Sequence, residues 1–444
     1  MKSLPVMCGA LVAIVSITAG LREWLCPLGR PDPSAAVWIA PVPTVNNSIV
    51  PKVHVLRIGD LDGDGTRDLW VAVPSANNAE SKVQILSGAK GSQIRAWDHD
   101  SLARTGCADF AASIGDVDLD GCDDLALSCQ RSSVTIVSGR KGAQLLEVDC
   151  VGGSIWAIEA MGDVDADGMA DFGLSLRCPD PRVQIRSSRS GELIHEWSYA
   201  KKPHEVPPGC FEFDWLLCST DDLDGDGVKD IAVGAPPGRP WGKRDVASRR
   251  GFVETRSGRD GRTIWHVNGM WEDEEWPADL SPLADHDGDG ITDLLIGAEG
   301  RIEVASGRTG ELLMERAGPS DTDWGIKAKD AGDVDGDGRS ELLVTCTNKD
   351  IYSGKPFECG GCFEILSGLN GEVLRGDGLA RNSYQGEVIP VGDLDSDGVD
   401  DLVQTFPVTN QSDVDCPCCD TFRTPSSWVA LVSGAKALAA NTTD

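Results

Sequence analysis

A nine-residue acidic pattern recurs seven times along this 444-residue chain and constrains its fold more than any other feature. The copies lie at 60–68, 116–124, 163–171, 222–230, 285–293, 333–341 and 393–401. Their starts are 56, 47, 59, 63, 48 and 60 residues apart. Such a period marks a repeat architecture in which each unit is one supersecondary element. Each unit also carries short β-rich runs: one before the acidic loop (53–58, 155–158), one after it (69–73, 231–233), and a third that ends in a turn. That turn reads Ser-Gly at 87, 138, 257, 306, 367 and 433, and Ser187-Ser188 in unit three. A fourth run closes most units, as at 145–148 and 312–314. Four short strands with tight turns, seven times over, predict an all-β seven-bladed β-propeller of four-stranded antiparallel blades. An open solenoid and two separate β domains are the alternatives. The fourth strand of the last unit is weak, only 435–440 after its final turn. The apolar stretch Ala36-Val-Trp-Ile39 is expected to complete that blade, closing the ring and removing a sheet edge. One propeller is thus expected over 36–444.

Positions 1, 3, 5 and 9 of each copy carry carboxylates. Loop one supplies Asp60, Asp62, Asp64 and Asp68, and loop two Asp116, Asp118, Asp120 and Asp124. Loop three supplies Asp163, Asp165, Asp167 and Asp171, and loop four Asp222, Asp224, Asp226 and Asp230. Loop five supplies Asp285, Asp287, Asp289 and Asp293, loop six Asp333, Asp335, Asp337 and Glu341, and loop seven Asp393, Asp395, Asp397 and Asp401. Position 6 is glycine in every copy, which suits a left-handed backbone. That turn aims the position-7 carbonyl inward, from Thr66, Cys122, Met169, Val228, Ile291, Arg339 or Val399. Four like charges at this range repel strongly without a cation. Hard oxygen donors in this number suit Ca²⁺, up to seven ions, better than the stricter octahedron of Mg²⁺. The alternative is a row of solvated Asp-Gly turns, which the fixed glycine in seven copies argues against. The first half of each loop resembles an EF-hand loop, but the closing acid comes at position 9 and no flanking helix is predicted. His286, at position 2, is expected to point outward.

These loops also give the charge an address. The chain has 71 Asp and Glu against 40 Lys and Arg, a net charge of −31. The four acidic positions of seven loops hold 28 of the 71, which leaves 43 acids against 40 bases. The excess is local to the loops. An acidic chain has no basic face for phosphate, which excludes nucleic acid as a partner. The 13 Trp against 3 Tyr and 9 Phe find no reason in the repeat.

The sequence resembles the FG-GAP repeat proteins, whose best-known members are the integrin α-subunit propellers. Trp324-Gly325 precedes the loop at Asp333 in the place of Phe-Gly, and Gly234-Ala235-Pro236 follows loop four in the place of Gly-Ala-Pro. The resemblance covers about 36–440. It implies a seven-bladed propeller, calcium in the loops between first and second strands, and an extracellular setting. This chain departs from integrins in carrying all seven acidic loops and in keeping Gly-Ala-Pro intact only once.

Residues 1–20 read as a secretory signal: Lys2, an apolar run from Leu4 to Leu21, and small residues at Ala19 and Gly20. An uncleaved N-terminal anchor is the rival reading. No later stretch is apolar for long enough to span a bilayer, so the mature chain is expected without a membrane span, secreted or at the cell surface. Of 15 cysteines, Cys8 lies in the signal, and the even remainder in an exported chain points to disulfides. The clusters Cys359–Cys362 and Cys416–Cys419 could instead hold zinc.

In an up-down blade the first and third turns share one face, here the acidic one. The opposite face receives the long insertions 236–250, 268–278 and 407–427. A protein or carbohydrate ligand is expected there, with exposed Trp beside charges, Trp241 among them, suited to it; the favoured alternative is that Trp271 and Trp276 pack between blades and the charges are solvated. The chain has no H-E-x-x-H or G-x-S-x-G motif, so the reading leans away from an enzyme. A polysaccharide lyase or hydrolase, whose carboxylates leave no linear signature, stays as the alternative. A purely structural module is the third.

Overall fold

The computed structural model describes residues 36–42, 53–73, 82–98, 108–129, 132–150, 153–179, 181–199, 216–236, 250–270, 276–319, 324–346, 362–376, 388–406 and 427–432. Every described element is a β-strand. No helix there is long and apolar enough to cross a membrane. The N-terminal strand β1 spans Ala36–Val42. Blade one follows as β2 (His54–Arg57), β3 (Leu69–Val73), β4 (Lys82–Leu86) and β5 (Gln93–Asp98). Blade two is β6 (Ala108–Ser113), β7 (Leu125–Cys129), β8 (Ser133–Val137) and β9 (Gln144–Asp149). Blade three is β10 (Gly153–Gly162), β11 (Asp171–Pro179), β12 (Arg182–Arg186) and β13 (Leu193–Ser198). Blade four is β14 (Leu216–Ser219), β15 (Ile231–Ala235), β16 (Phe252–Arg256) and β17 (Thr263–Asn268). Blade five is β18 (Asp279–Leu283), β19 (Asp293–Ala298), β20 (Arg301–Ala305) and β21 (Leu312–Ala317). Blade six is β22 (Lys327–Gly332), β23 (Glu341–Cys346), β24 (Cys362–Leu366) and β25 (Val373–Gly376). The last strands are β26 (Val388–Gly392), β27 (Asp401–Phe406) and β28 (Ser427–Val432).

Six sheets run in simple sequence order, and the seventh runs β1-β28-β27-β26. Strand β1 pairs antiparallel with β28, Ile39 opposite Ala430 and Val42 opposite Ser427. The expected N-terminal strand therefore closes the ring, and neither an open solenoid nor two separate β domains is formed. The first strands pack side by side in the order β2, β6, β10, β14, β18, β22, β26 and back to β2.

The second strands are apolar on both faces because each blade is sandwiched between two others. Ile231–Ala235 and Asp293–Ala298 are buried at every residue. The core is accordingly divided among seven clusters, one at each junction between blades. The cluster between blades seven and one joins Val391, Leu394, Val403 and Leu431 to Val55, Leu69 and Val71. Each buried aliphatic side chain of this kind contributes roughly 1.5–3 kcal/mol. The middle of the ring is polar instead. Lys329 Nζ lies 3.1 Å from Asp279 Oδ1 and donates to the Leu280 carbonyl at 3.2 Å. Burial among the first strands pushes the Glu159 carboxyl up to about 7 against the pull of the Lys329 charge.

The structure gives five of the tryptophans a reason. Trp38 Nε1 donates to the Gly88 carbonyl at 2.7 Å, Trp197 to Gly261 at 3.0 Å and Trp265 to Gly307 at 2.8 Å. Each indole stands on an outermost strand and latches onto the third turn of the next blade. Trp38 makes this bond from β1, so the N-terminal strand takes the place of a fourth strand in its contacts as well as its pairing. Trp276 and Trp324 are buried before the first strands of blades five and six and donate to Glu303 and Glu364 at 2.8 and 3.0 Å. Trp276 is thus packed between blades and presents nothing to a ligand. Trp241 and Trp271 lie outside the described residues.

The disulfide expectation does not extend to every cysteine. Cys122, Cys150 and Cys218 are buried free thiols that pack as small apolar side chains. Burial pushes the Cys150 thiol up to about 11, which keeps it protonated and unreactive. The clusters Cys359–Cys362 and Cys416–Cys419 lie outside the described residues, apart from the backbone of Cys362, as does the leader 1–20.

Candidate metal centres

All seven acidic loops connect a first strand to a second strand, and all are folded by their own carboxylates. The position-1 Oδ2 accepts the position-6 N–H in every loop, at 2.6–3.0 Å. The position-5 Oδ1 accepts the position-7 N–H in every loop, at 2.9–3.2 Å. One oxygen of the position-9 carboxylate accepts the position-2 N–H in every loop, at 2.7–2.9 Å. In loop five that donor is the N–H of His286. The bonds fix three carboxylates on one concave side.

The position-6 glycines take φ between 84° and 94°, as the pattern implied. Position 4 is left-handed as well, and the sequence disguises it. Gly63, Gly225, Gly288 and Gly336 occupy it in four loops, but Leu119, Ala166 and Ser396 sit there at φ 59°, 61° and 61°. The four glycines donate to the position-1 Oδ1 at 2.6–2.7 Å. In the other three loops the position-3 N–H turns instead to the position-9 Oδ2, at 3.0–3.3 Å. A left-handed non-glycine residue costs about 1–2 kcal/mol. Gly168→Ala, which adds a side chain at φ 91°, should therefore lose about that much in urea unfolding. Leu119→Gly should lose nothing beyond about 0.5 kcal/mol, since relief of strain offsets the extra chain entropy.

The position-9 acids are the deepest. Asp68, Asp124, Asp171, Asp230, Asp293, Glu341 and Asp401 expose no surface, although they lie just beneath the loop rather than far inside the blade. Their second oxygen ties the acidic loop to the third turn of the same blade. Gly88, Gly139, Ser188, Gly258 and Gly307 donate to it at 2.8–3.2 Å. This contact explains the Ser-Gly pair. A Cβ on Gly88, Gly139 or Gly258 would stand 2.0 Å from the position-8 carbonyl oxygen. In blade three the residue is Ser188, whose hydroxyl donates to that carbonyl, of Ala170. Desolvation pushes these acids up, Asp171 and Asp230 to about 6 and Glu341 to about 7.

Lysines and arginines of the third turn reach over the loops, a feature the sequence reading missed. Lys90 Nζ donates to Asp64 Oδ2 at 2.8 Å. Lys141 Nζ lies 2.8 Å from Asp118 Oδ2 and 3.0 Å from Asp120 Oδ2. Arg189 is 3.8 Å from Asp167, Arg262 is 2.7 Å from Asp224 and Arg308 is 2.7 Å from Asp289. The hydrogen bonds from Lys90, Lys141 and Arg308 hold Asp64, Asp118 and Asp289 below the usual carboxylate range. The signal for these pairs was present as a basic residue two to five positions after the turn serine, as in Ser87-Gly-Ala-Lys90.

The donor set fits a hard divalent cation. In loops one to four, one oxygen from each of positions 1, 3 and 9 lies within 4.8 Å of the others. In loop five the converging set is Asp285, Asp287 and Asp289. Glu341 adds a buried oxygen, Oε1, with no hydrogen-bond partner. The acids brought together are therefore those of positions 1, 3 and 9 in loops one to four and of positions 1, 3 and 5 in loop five.

Comparison with known proteins agrees with this arrangement. The model of the FG-GAP-like repeat matches residues 285–344, which contain loops five and six. Integrin alpha-5 of Xenopus laevis is 26% identical over 254 residues, covering 56% of this chain and 20% of that protein. Integrin alpha pat-2 of Caenorhabditis elegans is 25% identical over 211 residues, covering 40% of this chain and 17% of that protein. The chain thus spans about a fifth of the length of these curated relatives. Among solved structures, BBS1N in complex with ARL6DN, soaked with mercury, has a TM-score of 0.51 at 11% identity, covering 89% of this chain and 97% of that one. That likeness is one of fold. Repeat match, relatives and ring together support an FG-GAP-like, integrin-α-like propeller.

Proposed function

We propose that this propeller is a calcium-stabilised binding module of the exported or cell-surface kind, with residues 1–20 as its leader and a protein ligand on the face opposite the acidic loops. The observation that carries the reading is the backbone bonding of the loop carboxylates, repeated in seven loops. A merely solvated acidic turn has no need to hold several carboxylates on one side against their mutual repulsion. Positions 1, 3, 5, 7 and 9 of each loop would ligate Ca²⁺, and the ion would supply the charge that lets the buried position-9 acid stay ionised. On the opposite face the second strands end and the third strands begin, away from the acidic loops. The integrin-like propellers make a protein the favoured ligand class.

The test is metal counting on the full chain dialysed against millimolar calcium, since extracellular sites can be as weak as roughly 10⁻⁴–10⁻³ M. Several ions per chain are expected, and fewer than about two would overturn the reading. Immobilised protein would then be offered extracellular matrix proteins and acidic polysaccharides in parallel. Retention of a protein that is unaffected by substitutions on the cage face supports a binding module. Turnover of a polysaccharide would move the reading to an enzyme on the same scaffold.

A further inference from the structure

We propose that the third-turn lysines and arginines are tethered cations that compete with calcium, and that cage six, which has none, fills first. The proposal rests on the calcium reading above and assigns an order to its sites. The tethered charges contact the outward Oδ2 atoms of positions 3 and 5. Lys90 takes Asp64 Oδ2, Arg262 takes Asp224 Oδ2 and Arg308 takes Asp289 Oδ2, at 2.7–2.8 Å. Lys141 bridges both positions of loop two. The Oδ1 atoms of position 5 are already committed to backbone N–H groups. The oxygen that a tethered cation holds is therefore the one left for a metal.

Blade six differs in two independent ways. Its third turn reads Ser367-Gly-Leu-Asn370, with no basic residue. Leu369 is 58% exposed and reaches over no carboxylate, while Asn370 is turned to the Glu372 N–H at 2.9 Å. Among the described residues no cation pairs with Asp333, Asp335 or Asp337. Cage six also holds an orphan oxygen at position 9, whereas the orphan oxygens of cage two, Asp118 Oδ1 and Asp120 Oδ2, belong to positions 3 and 5 beside Lys141. Glu341 exposes no surface, its Oε2 accepts the Val334 N–H at 2.9 Å, and its Oε1 has no hydrogen-bond partner. In blades one to five the matching oxygen is satisfied by the third-turn N–H. A buried carboxylate oxygen without a partner is costly and gains most from an ion.

The physical consequence is a competition. In the clamped cages, calcium must displace an ammonium or guanidinium or bind beside it against like-charge repulsion. In cage six it meets four uncompensated carboxylates. The tethered cation has a second effect of opposite sign, since it relieves the repulsion among the loop acids when no metal is bound.

Calcium titration of the full chain by calorimetry, with thermal melts of each variant, tests this. Wild type should show one site at least about tenfold tighter than the rest, a difference of about 1.4 kcal/mol. Leu369→Lys should weaken that site about tenfold, and Glu341→Gln should abolish it. Lys90→Met and Arg308→Met should each convert one weak site to a tight one, while lowering the melting temperature of the metal-free protein. That pairing of tighter binding with a less stable metal-free state is not produced by ordinary loss of packing. Binding in a single class that ignores all four substitutions would overturn the proposal and leave the calcium reading standing. No binding at millimolar calcium would end both.

Discussion

Stripping calcium at pH 7.5 should destabilise this protein more than any single substitution. Each ion bound to the native state alone adds about 2.7 kcal/mol when free calcium is 100 times the dissociation constant. Several such sites together match the ~5–15 kcal/mol that holds an ordinary domain folded. Far-UV and near-UV melts with and without chelator should therefore differ by tens of degrees, or the chelated chain should lack a cooperative transition. A shift of only a degree or two would mean that the loops do not depend on metal. The pH dependence has a definite sign. Burial raises Asp171 and Asp230 to about 6 and Glu341 to about 7, above the values these acids have unfolded. For groups raised in the fold, the stabilisation is full below the unfolded pKa near 4 and is lost as pH rises through 6 to 7. Metal-free protein should thus gain stability from pH 8 to pH 5. With calcium bound the trend should reverse, because the ion requires these acids deprotonated.

Deleting residues 1–42 should have an effect of comparable size by an unrelated route. The deletion leaves β28 without its partner and exposes its N–H and C=O groups along the ladder that β1 occupies. It also removes Val37, Trp38 and Ala40 from the cluster between blades seven and one, and with them the Trp38 bond to blade one. The truncated chain is expected to unfold at lower denaturant and to associate through the bare edge, read as a concentration-dependent species by light scattering. Trp38→Ala keeps the ladder and isolates the latch. Truncating a large packed side chain of this kind costs about 3–5 kcal/mol when fully buried, and Trp38 is only half-buried, so a smaller loss is expected. A truncated chain as stable and monomeric as the parent would show that the blade closes without β1.

Much of this was legible in the sequence, for reasons that can be named. The acidic loops were readable because their positions 1, 3, 5, 6 and 9 are fixed by contacts within nine residues. Ring closure was readable because the fourth strand of the last blade was weak, and Ala36–Ile39 was the unassigned apolar stretch able to supply it. Position 4 was not readable, since Leu119, Ala166 and Ser396 hide a backbone conformation that glycine would have advertised. The tethered cations were missed although the first and third turns were expected on one face, because nothing within either turn says that the Lys90 side chain spans the gap to Asp64. The even cysteine count misled for Cys122, Cys150 and Cys218, whose burial serves packing. Trp276 was read in favour of packing between blades, and its burial and its bond to the Glu303 carboxylate agree with that.

The register of β1 on β28 has one further consequence, for how the disc is held. Ala36 stands opposite Val432, so chain arriving before β1 and chain leaving after β28 meet at the same end of one blade. That end is the one where third strands turn, on the side of the acidic loops. A tether attached at either terminus would therefore suspend the whole ring from a single rim point with its acidic side toward the anchor. The opposite side, where second strands end and third strands begin, would then be turned outward. The pairing of two strands thus sets both ends of the ring on one side.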